Sequence, residues 1–249
     1  MRLLPPPARS RGLRVTRWHP DHEVAHLSLT AARRGPLDAD ELRDRLAQVR
    51  ADGYHGVVTT ALAPPDQSVF IDSGFRVVER LHLLQHRFDH VLPWSQVATR
   101  RAHRSDRRAI LDVDQAAFEP FWQLDDITLT DALAATRTVR WRVAEGSGGR
   151  VVGYAICGRS GPHGYVQRLA VHPDHQGRGT GASLLADGLR WLFRRGAQDT
   201  LVNTQIGNHR SLRLYQRVGF VLQPGGLAVL RLDFPAVSDP PRSGTRRRR

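Results

Sequence analysis

Residues 167–182 read QRLAVHPDHQGRGTGA, an apolar strand that Pro173 ends, a turn of small residues and the start of a helix. Glycine has no Cβ atom, so Gly177, Gly179 and Gly181 would let a ligand approach the backbone closely. The N–H groups at the start of a helix are unpaired, and the helix dipole adds positive potential there. This stretch therefore predicts a strand–turn–helix unit that binds an anionic group such as a pyrophosphate.

Two common nucleotide-binding motifs do not fit this spacing. A P-loop needs Gly-Lys followed by Ser or Thr, and the chain contains no lysine. The dinucleotide fingerprint needs a third glycine three positions after Gly181, where Leu184 stands. A turn without a ligand is the alternative, although three glycines in five positions cost conformational entropy that a simple connector avoids.

The sequence around this turn alternates between strand patterns and helix patterns, which predicts an α/β fold with locally parallel strand pairing. Ser105 is predicted to cap a helix that runs through Ala117, and the other predicted helices span Thr128 to Thr136, Gly179 to Arg195 and Ser211 to Arg217. The predicted strands span Val97 to His103, Thr138 to Ala144, Val151 to Cys157, Tyr165 to Val171, Thr200 to Thr204 and Leu227 to Leu232. In the helix after the turn, we expect Leu184, Leu185, Leu189, Leu192 and Phe193 on the buried side.

The first ninety residues repeat part of this pattern at a constant offset. Val57-Val58-Thr59-Thr60 resembles Val202-Asn203-Thr204-Gln205, and Gly74-Phe75 matches Gly219-Phe220 at the same spacing. Phe70 then corresponds to Tyr215, and Ala31-Ala32-Arg33-Arg34-Gly35-Pro36 replaces the glycine turn. A partial internal duplication is the simplest explanation, and two unrelated α/β segments are the alternative.

Composition narrows the class of protein. The net charge is +13, but much of the excess lies in the Arg-rich ends, at residues 1–19 and 236–249, which we expect to be disordered. This distribution does not favour nucleic-acid binding beyond non-specific contact by the termini. No apolar run approaches the length of a membrane span. With Cys157 as the single cysteine, no internal disulfide can form, and the expected compartment is the cytoplasm.

Two motifs together resemble a known family. Gln176-x-x-Gly179-x-Gly181 after Val171-His172-Pro173 is similar to the coenzyme A signature of the GCN5-related N-acetyltransferases (GNAT). Some thirty residues later, Asn208, Leu214-Tyr215 and Gly219-Phe220 are similar to the second motif of that family. The resemblance covers Trp94 to Phe234 and implies the mixed, twisted sheet of GNAT acyltransferases, with acetyl-CoA as the co-substrate.

The resemblance also implies roles for individual residues. The backbone of Leu169, Ala170 and Val171 would pair with the pantetheine arm, and Asn208 would contact the coenzyme. The pyrophosphate would be bound by the main chain of Gln176, Gly177, Arg178, Gly179, Thr180, Gly181 and Ala182. Tyr215 would lie near the thioester sulfur and act as the general acid, the alternative being that it only packs in the core.

No general base stands out. In some relatives that acetylate protein N-termini, a Glu occupies the position of Asn203, and an amide cannot accept a proton near neutral pH. His172, His175, Glu119 and Asp125 are the candidates, each of which is more often a solvated side chain. His82 and His86 have a helical metal-ligand spacing but lie in a strand pattern without a third ligand, so no metal is expected. Cys157 ends an apolar strand and is expected to be a buried thiol.

These observations predict four segments. Residues 1–19 and 236–249 are disordered ends, 20–92 is a degenerate repeat that binds no coenzyme, and 94–235 is a complete acetyltransferase domain. The expected activity is transfer of an acetyl group from acetyl-CoA to a primary amine of a small molecule or peptide. A silent coenzyme-binding or partner-binding module and an Arg-rich nucleic-acid-binding protein are the alternatives. The acceptor and the oligomeric state are left open.

Overall fold

The computed structural model of the chain describes residues 12–18, 21–29, 37–89 and 97–235. The strands are β1 Leu13–Arg17, β2 Val24–Leu29, β3 Gly56–Thr59, β4 Arg76–His86, β5 Thr99–Arg101, β6 Thr138–Glu145, β7 Val151–Ser160, β8 His163–Val171, β9 Asp199–Gln205, β10 Val221–Leu222 and β11 Leu227–Asp233. The helices are α1 Ala39–Ala51, α2 Pro64–Asp72, α3 Arg107–Ala117, α4 Asp126–Ala134, α5 Thr180–Arg194 and α6 His209–Arg217.

These elements form two compact units. Unit 1 takes the described residues up to Thr60, Asp66–Val77 and those from Val229 onward. Unit 2 takes Ala61–Pro65 and the described part of Val78–Ala228. Each unit contains its own strands, helices and buried residues.

Unit 2 is built on a mixed sheet with the strand order β4-β9-β8-β7-β6-β5. All neighbouring strands in this order are antiparallel except β8 and β9, which are parallel. This sheet confirms the predicted α/β fold with a mixed sheet, and every strand predicted after residue 97 is present with small shifts at its ends.

The parallel strands β8 and β9 separate soon after they meet. Their pairing covers only His163–Tyr165 against Asp199–Leu201, although β8 continues to Val171 and β9 to Gln205. In β8 the register against β7 shifts so that Gln167 is an extra residue, which is a β-bulge. The backbone edge of Leu169–Val171 that faces away from β7 therefore has no β9 partner.

Helix α5 fills one face of this sheet through its leucines. Leu184, Leu185, Leu189 and Leu192 are fully buried, as the helical spacing predicts. Phe193 is 58% exposed, so its predicted burial is wrong. Phe193 lies in the last turn of α5, where its ring contacts that of Phe88 with the centroids 5.4 Å apart.

Three helices of unit 2, α3, α4 and α6, begin at different residues from those predicted, and α6 begins at His209 rather than at Ser211. Helix α3 begins at Arg107, after a single 3₁₀ turn over Arg104–Asp106, so the residue at its cap position is Asp106 and not Ser105. Helix α4 begins at Asp126, because Asp125 caps it through a reciprocal pair of hydrogen bonds with Thr128 at 2.7 and 2.8 Å.

Unit 1 has the strand order β1-β2-β3-β11. The expected disorder of residues 1–19 is wrong for Leu13–Arg17, which form β1 and pair antiparallel with β2. The alternation of Leu13 and Val15, both buried, with polar neighbours is the period-two signal of a strand. Most of the remaining residues that were predicted to be disordered, in 1–19 and 236–249, lie outside the described residues.

Strand pairing divides the chain differently from the predicted segments 20–92 and 94–235. Strand β4 lies in the first segment, yet it pairs with β9 in unit 2. Strand β11 lies in the second segment, yet it pairs with β3 in unit 1. Chain order does not reveal such pairing, because any strand edge can accept a partner from a distant part of the chain.

Local geometry recurs at the offset found in the sequence. Helices α2 and α6 span equivalent positions, and the amide of Phe75 donates to the Phe70 carbonyl as that of Phe220 donates to the Tyr215 carbonyl, both at 3.0 Å. The ring centroids of Phe70 and Phe75 lie 5.2 Å apart, and those of Tyr215 and Phe220 lie 5.6 Å apart. This recurrence supports the interpretation as a partial duplication.

The repeat differs from unit 2 where the coenzyme would bind. Strands β2 and β3 stay paired over the whole of β3, from Val24 against Gly56 to Leu27 against Thr59, whereas β8 and β9 separate. The segment that replaces the glycine turn, residues 31–36, lies outside the described residues. Strands that stay paired leave no gap of the kind seen between β8 and β9. That the repeat binds no coenzyme stays a prediction.

Unit 1 should lose stability in mild acid because of His26. Burial, reinforced by Arg14, lowers the pKa of the His26 side chain to about 4, below the usual value of about 6.5. As the pH falls from about 6.5 towards 4, the unfolded chain takes up a proton that the folded chain does not, so unfolding becomes more favourable. We expect a loss of roughly 2 kcal/mol between about pH 7.5 and pH 4.5.

Urea unfolding of the wild type and of His26→Gln at both pH values measures this effect. The variant should lose less stability on acidification, because the substituted side chain does not titrate. His55→Gln is the matched control, since the His55 side chain is 73% exposed. Equal acid losses in the wild type and His26→Gln would contradict the prediction.

None of the helices in the described residues has the length and apolar character needed to cross a membrane.

Candidate donor site

A pocket of about 500 Å³ lies in unit 2 where β8 and β9 separate and α5 begins. Nine of the residues predicted to bind the coenzyme line it: Leu169, Ala170, Val171, Gln176, Gly177, Gly179, Gly181, Ala182 and Asn208. Three predicted site residues, Arg178, Thr180 and Tyr215, are not among the lining residues. The structure thus brings residues from two motifs, some thirty positions apart in the chain, to one cavity.

The glycine turn has the backbone conformation that its sequence suggests. Gly177 and Gly179 have φ angles of +78° and +80°, in the left-handed region that favours glycine. Gly181 is helical, but a Cβ atom there would lie 3.4 Å from the Leu214 side chain on the opposite wall. The missing Cβ of Gly181 therefore keeps the pocket open at the helix start.

Gln176 holds the turn against the strand that precedes it. Its side-chain amide donates to the Val171 carbonyl at 2.9 Å, and its side-chain oxygen accepts from Arg210 in α6. One side chain thus ties the end of β8, the glycine turn and α6 together. This contact gives Gln176 a positioning role at the pocket wall.

Asn208 caps the helix that forms the opposite wall. Its side-chain oxygen accepts from the Ser211 amide at 3.0 Å, which satisfies one unpaired N–H of α6. The cap uses the oxygen of the carboxamide, so its NH₂ group can donate to a ligand in the pocket.

Sequence reasoning missed three arginines in α6 that line the pocket, Arg210, Arg213 and Arg217. Their spacing of three and four residues places them on one face of the helix, a signal that the sequence already contained. None of the described lining residues is acidic. The pocket therefore offers positive charge as well as backbone amides to an anion.

Sequence reasoning also missed a buried ion pair behind β8. Asp114 of α3 is fully buried and accepts two hydrogen bonds from Arg168, each 2.8 Å long. Tyr154 and the Leu124 amide also donate to this carboxylate. Arg168 stacks on Phe118, which lines the pocket, with 3.6 Å between the guanidinium carbon and the ring centroid. The cluster fixes α3 against β8 at the pocket.

Tyr215 lies in the hydrophobic core of unit 2. Its side chain is 5% exposed and packs in a cluster that includes Cys157, Leu189 and Phe220. Burial, followed by the nearby Cys157, raises the pKa of the Tyr215 phenol. A phenol with a raised pKa stays protonated near neutral pH and can donate a hydrogen bond, whereas a buried phenolate is disfavoured. The acid role of Tyr215 remains a prediction.

None of the candidate bases lines the pocket. The His172 ring nitrogen accepts from the Asp174 amide at 3.3 Å, and the His175 ring contacts Arg150 at 3.1 Å. Asp125 is used as the cap of α4, and Glu119 is exposed. Asn203 lies in β9 with an exposed side chain.

The remaining candidates have structural explanations. Cys157 is buried, as expected, and burial raises the pKa of its thiol to about 12. His82 and His86 lie in β4, a strand, as predicted. Within residues 12–18, 21–29, 37–89 and 97–235, no three His, Cys, Asp or Glu side chains are grouped so that they could hold a metal ion.

Part of the chain is similar to known acetyltransferases. Residues 107–220 match the model of the acetyltransferase (GNAT) family. A mycothiol acetyltransferase of Pseudarthrobacter chlorophenolicus is 32% identical over 127 residues, which cover 46% of this chain and 39% of the relative. The matched region thus spans about two fifths of that relative.

Solved structures share the fold of the chain. A tandem GNAT protein from the clavulanic acid biosynthesis pathway superposes with a TM-score of 0.65 at 14% identity, covering 87% of this chain and 77% of that one. A GCN5-related N-acetyltransferase from Sphaerobacter thermophilus superposes with a TM-score of 0.63 at 17% identity, covering 90% and 77%. The family match covers the residues that line the pocket and carry the two motifs, so residues 107–220, somewhat less than half of the chain, are similar to the acetyltransferase (GNAT) family.

Proposed function

We propose that unit 2 transfers an acetyl group from acetyl-CoA to a primary amine of a small molecule or peptide, by direct attack in a ternary complex. The observation that carries this proposal is the pocket where β8 separates from β9 at the start of α5. The residues there suit the coenzyme: unpaired strand backbone for an amide-bearing arm, helix-start amides for a diphosphate, and three arginines for further phosphate charge.

Each part of the pocket has a separate task in this proposal. The backbone of Leu169–Val171 pairs with the pantetheine arm along the strand edge that β9 leaves. The amides between Gln176 and Ala182, at the positive end of α5, hold the pyrophosphate. Positive charge that offsets the negative charge of the phosphates comes from Arg210, Arg213 and Arg217. Acetyl-CoA, when bound, supplies an activated acyl group.

Residues near the bulge in β8 act on the reacting atoms. Positioning of the acceptor amine beside the acyl carbon provides much of the rate. Backbone N–H groups near Val171 stabilise the oxygen as negative charge develops on it. The Tyr215 hydroxyl donates a hydrogen bond to the leaving sulfur. The amine proton leaves through water, because no candidate base lines the pocket.

A matched pair of glycine variants tests the donor site. Gly177 and Gly196 both have positive φ angles, +78° and +76°, and neither has an atom within 4 Å of an added Cβ. Gly177→Val and Gly196→Val should therefore lose similar stability, about 1–3 kcal/mol. Only Gly177→Val should weaken coenzyme A binding, by roughly tenfold or more, because only Gly177 lines the pocket.

Isothermal calorimetry with coenzyme A and thermal unfolding of both variants measure these effects. If coenzyme A did not bind the wild type at millimolar concentration, the proposal would be wrong. Binding without release of free thiol from acetyl-CoA, across a panel of primary amines, would favour the second candidate, a silent coenzyme-binding module. Among the described residues, none of the candidate bases lines the pocket, and this observation favours the second candidate.

A further inference from the structure

A second cavity of about 580 Å³ lies in unit 2, at the side of the sheet formed by β5 and β6. The residues that line it are Arg101, Ala102, His103, Arg104, Leu133, Val139, Arg140, Trp141, Arg142 and Trp191. It shares no lining residue with the donor pocket. Its volume falls within the usual range for sites that bind small molecules.

The short length of β5 creates this cavity. Strand β5 pairs with β6 only from Thr99 against Ala144 to Arg101 against Arg142, and one further hydrogen bond joins Ala102 to Trp141. The chain then turns away into the 3₁₀ turn at Arg104. The first residues of β6 therefore have no strand partner on the edge that faces β5, and the cavity lies beside them.

Positive charge in the cavity exceeds the negative charge that pairs with it. Arg140 and Arg142 share one carboxylate, Asp187 of α5, at 2.7 and 3.3 Å. Among the residues that the structure describes, Arg101 and Arg104 have no ion-pair partner. The nearest acids on the same elements, Asp106 and Glu145, both pair with Arg100.

Burial disfavours the charged form of Arg142. It lowers the pKa of the Arg142 guanidinium, and the nearby Asp187 carboxylate offsets only part of that effect. A second anion in the cavity would offset that cost, because guanidinium groups bind phosphate oxygens through paired hydrogen bonds.

The rest of the lining is aromatic and apolar. Trp141 and Trp191 belong to β6 and α5, and Leu133 and Val139 add aliphatic surface. Indole rings favour planar ligands, which a purely ionic site for free phosphate would not need. Trp191 also lies one helical turn after Asp187, so α5 carries both the acid and the ring.

We propose that this cavity binds a phosphate ester that carries an aromatic ring, with Arg101 and Arg104 contacting the phosphates and the two tryptophans contacting the ring. The site is separate from the proposed transfer of acetyl groups. Arg101 and Arg104 contribute the charge that is not already paired, and Arg140 and Arg142 form the wall behind them.

Calorimetric titration with GTP tests the proposal, in the presence of saturating coenzyme A so that the donor pocket is filled. The double variant Arg101→Ala/Arg104→Ala should bind GTP at least tenfold more weakly than the wild type. Arg80→Ala removes an exposed arginine that lines neither cavity and should bind GTP as the wild type does. Guanosine and inorganic triphosphate should each bind more weakly than GTP.

Three results would overturn the proposal. They are no binding of GTP at millimolar concentration, equal affinity in the wild type and the double variant, and equal affinity for GTP and triphosphate. The dependence on Arg101 and Arg104 can be measured even if coenzyme A does not bind, so failure of the proposed acetyl transfer and failure of this site are distinguishable. Thermal unfolding confirms that the variants are folded.

Discussion

Tyr215→Phe should lower the rate of acetyl transfer by about 100-fold while coenzyme A binding changes little. The substitution removes only the hydroxyl, and the ring keeps its contact with Phe220. Burial raises the pKa of this phenol, so the hydroxyl is protonated throughout the neutral range and available as a donor. Its hydrogen bond strengthens as the sulfur gains negative charge, which affects kcat more than binding.

Release of free thiol from acetyl-CoA, with any amine that the acceptor panel identifies, measures this effect. Tyr54→Phe is the control, because Tyr54 is a buried tyrosine of unit 1. Loss of its hydroxyl should leave the rate of acetyl transfer unchanged. Full activity in Tyr215→Phe would assign Tyr215 a packing role alone, and the leaving sulfur would need another donor.

Asp114→Ala should lower the free energy of unfolding by about 3–5 kcal/mol, since it leaves the Arg168 guanidinium buried without its carboxylate. Asp114 is fully buried and accepts from Arg168, Tyr154 and the Leu124 amide. All three donors would lose their acceptor together. The midpoint of thermal unfolding should fall by roughly 10 °C.

Asp112→Ala provides the matched control on the same helix. Asp112 lies two residues before Asp114 in α3, and its ion pair with Arg108 is 3.5 Å long and largely exposed. Exposed pairs of this kind contribute little, so this variant should change stability by less than about 1 kcal/mol. Chemical unfolding of both variants gives the comparison, and similar losses at the two positions would show that the buried cluster does not stabilise unit 2 as proposed.

Local sequence predicted the donor site well, because its function depends on backbone conformation and helix ends. The glycines of the turn, including Gly177 and Gly179, indicate a backbone that a ligand can approach closely, and the strand pattern followed by a helix pattern places that turn at a helix start. Both are signals that a few neighbouring residues determine. Nine of the predicted donor residues consequently line one pocket.

The features that the sequence did not reveal depend on long-range contacts. The partner of Asp114 is Arg168, fifty-four residues away, and neither residue stands out in its own segment. The distance between Tyr215 and the pocket lining depends on how α6 packs, which a motif does not specify. The Arg101 and Trp191 cavity joins residues ninety positions apart and has no motif.

From residue 97 onward, the sequence by itself determined the order of the strands and helices except the short β10, together with the glycine turn and the repeat at constant offset. These features follow from local propensity and backbone sterics. Only the tertiary structure decided that β4 pairs in unit 2 and β11 in unit 1, and that β8 and β9 separate while β2 and β3 do not. Hydrogen bonds between strands join whichever edges come together on folding, and burial of side chains across the whole unit selects those edges.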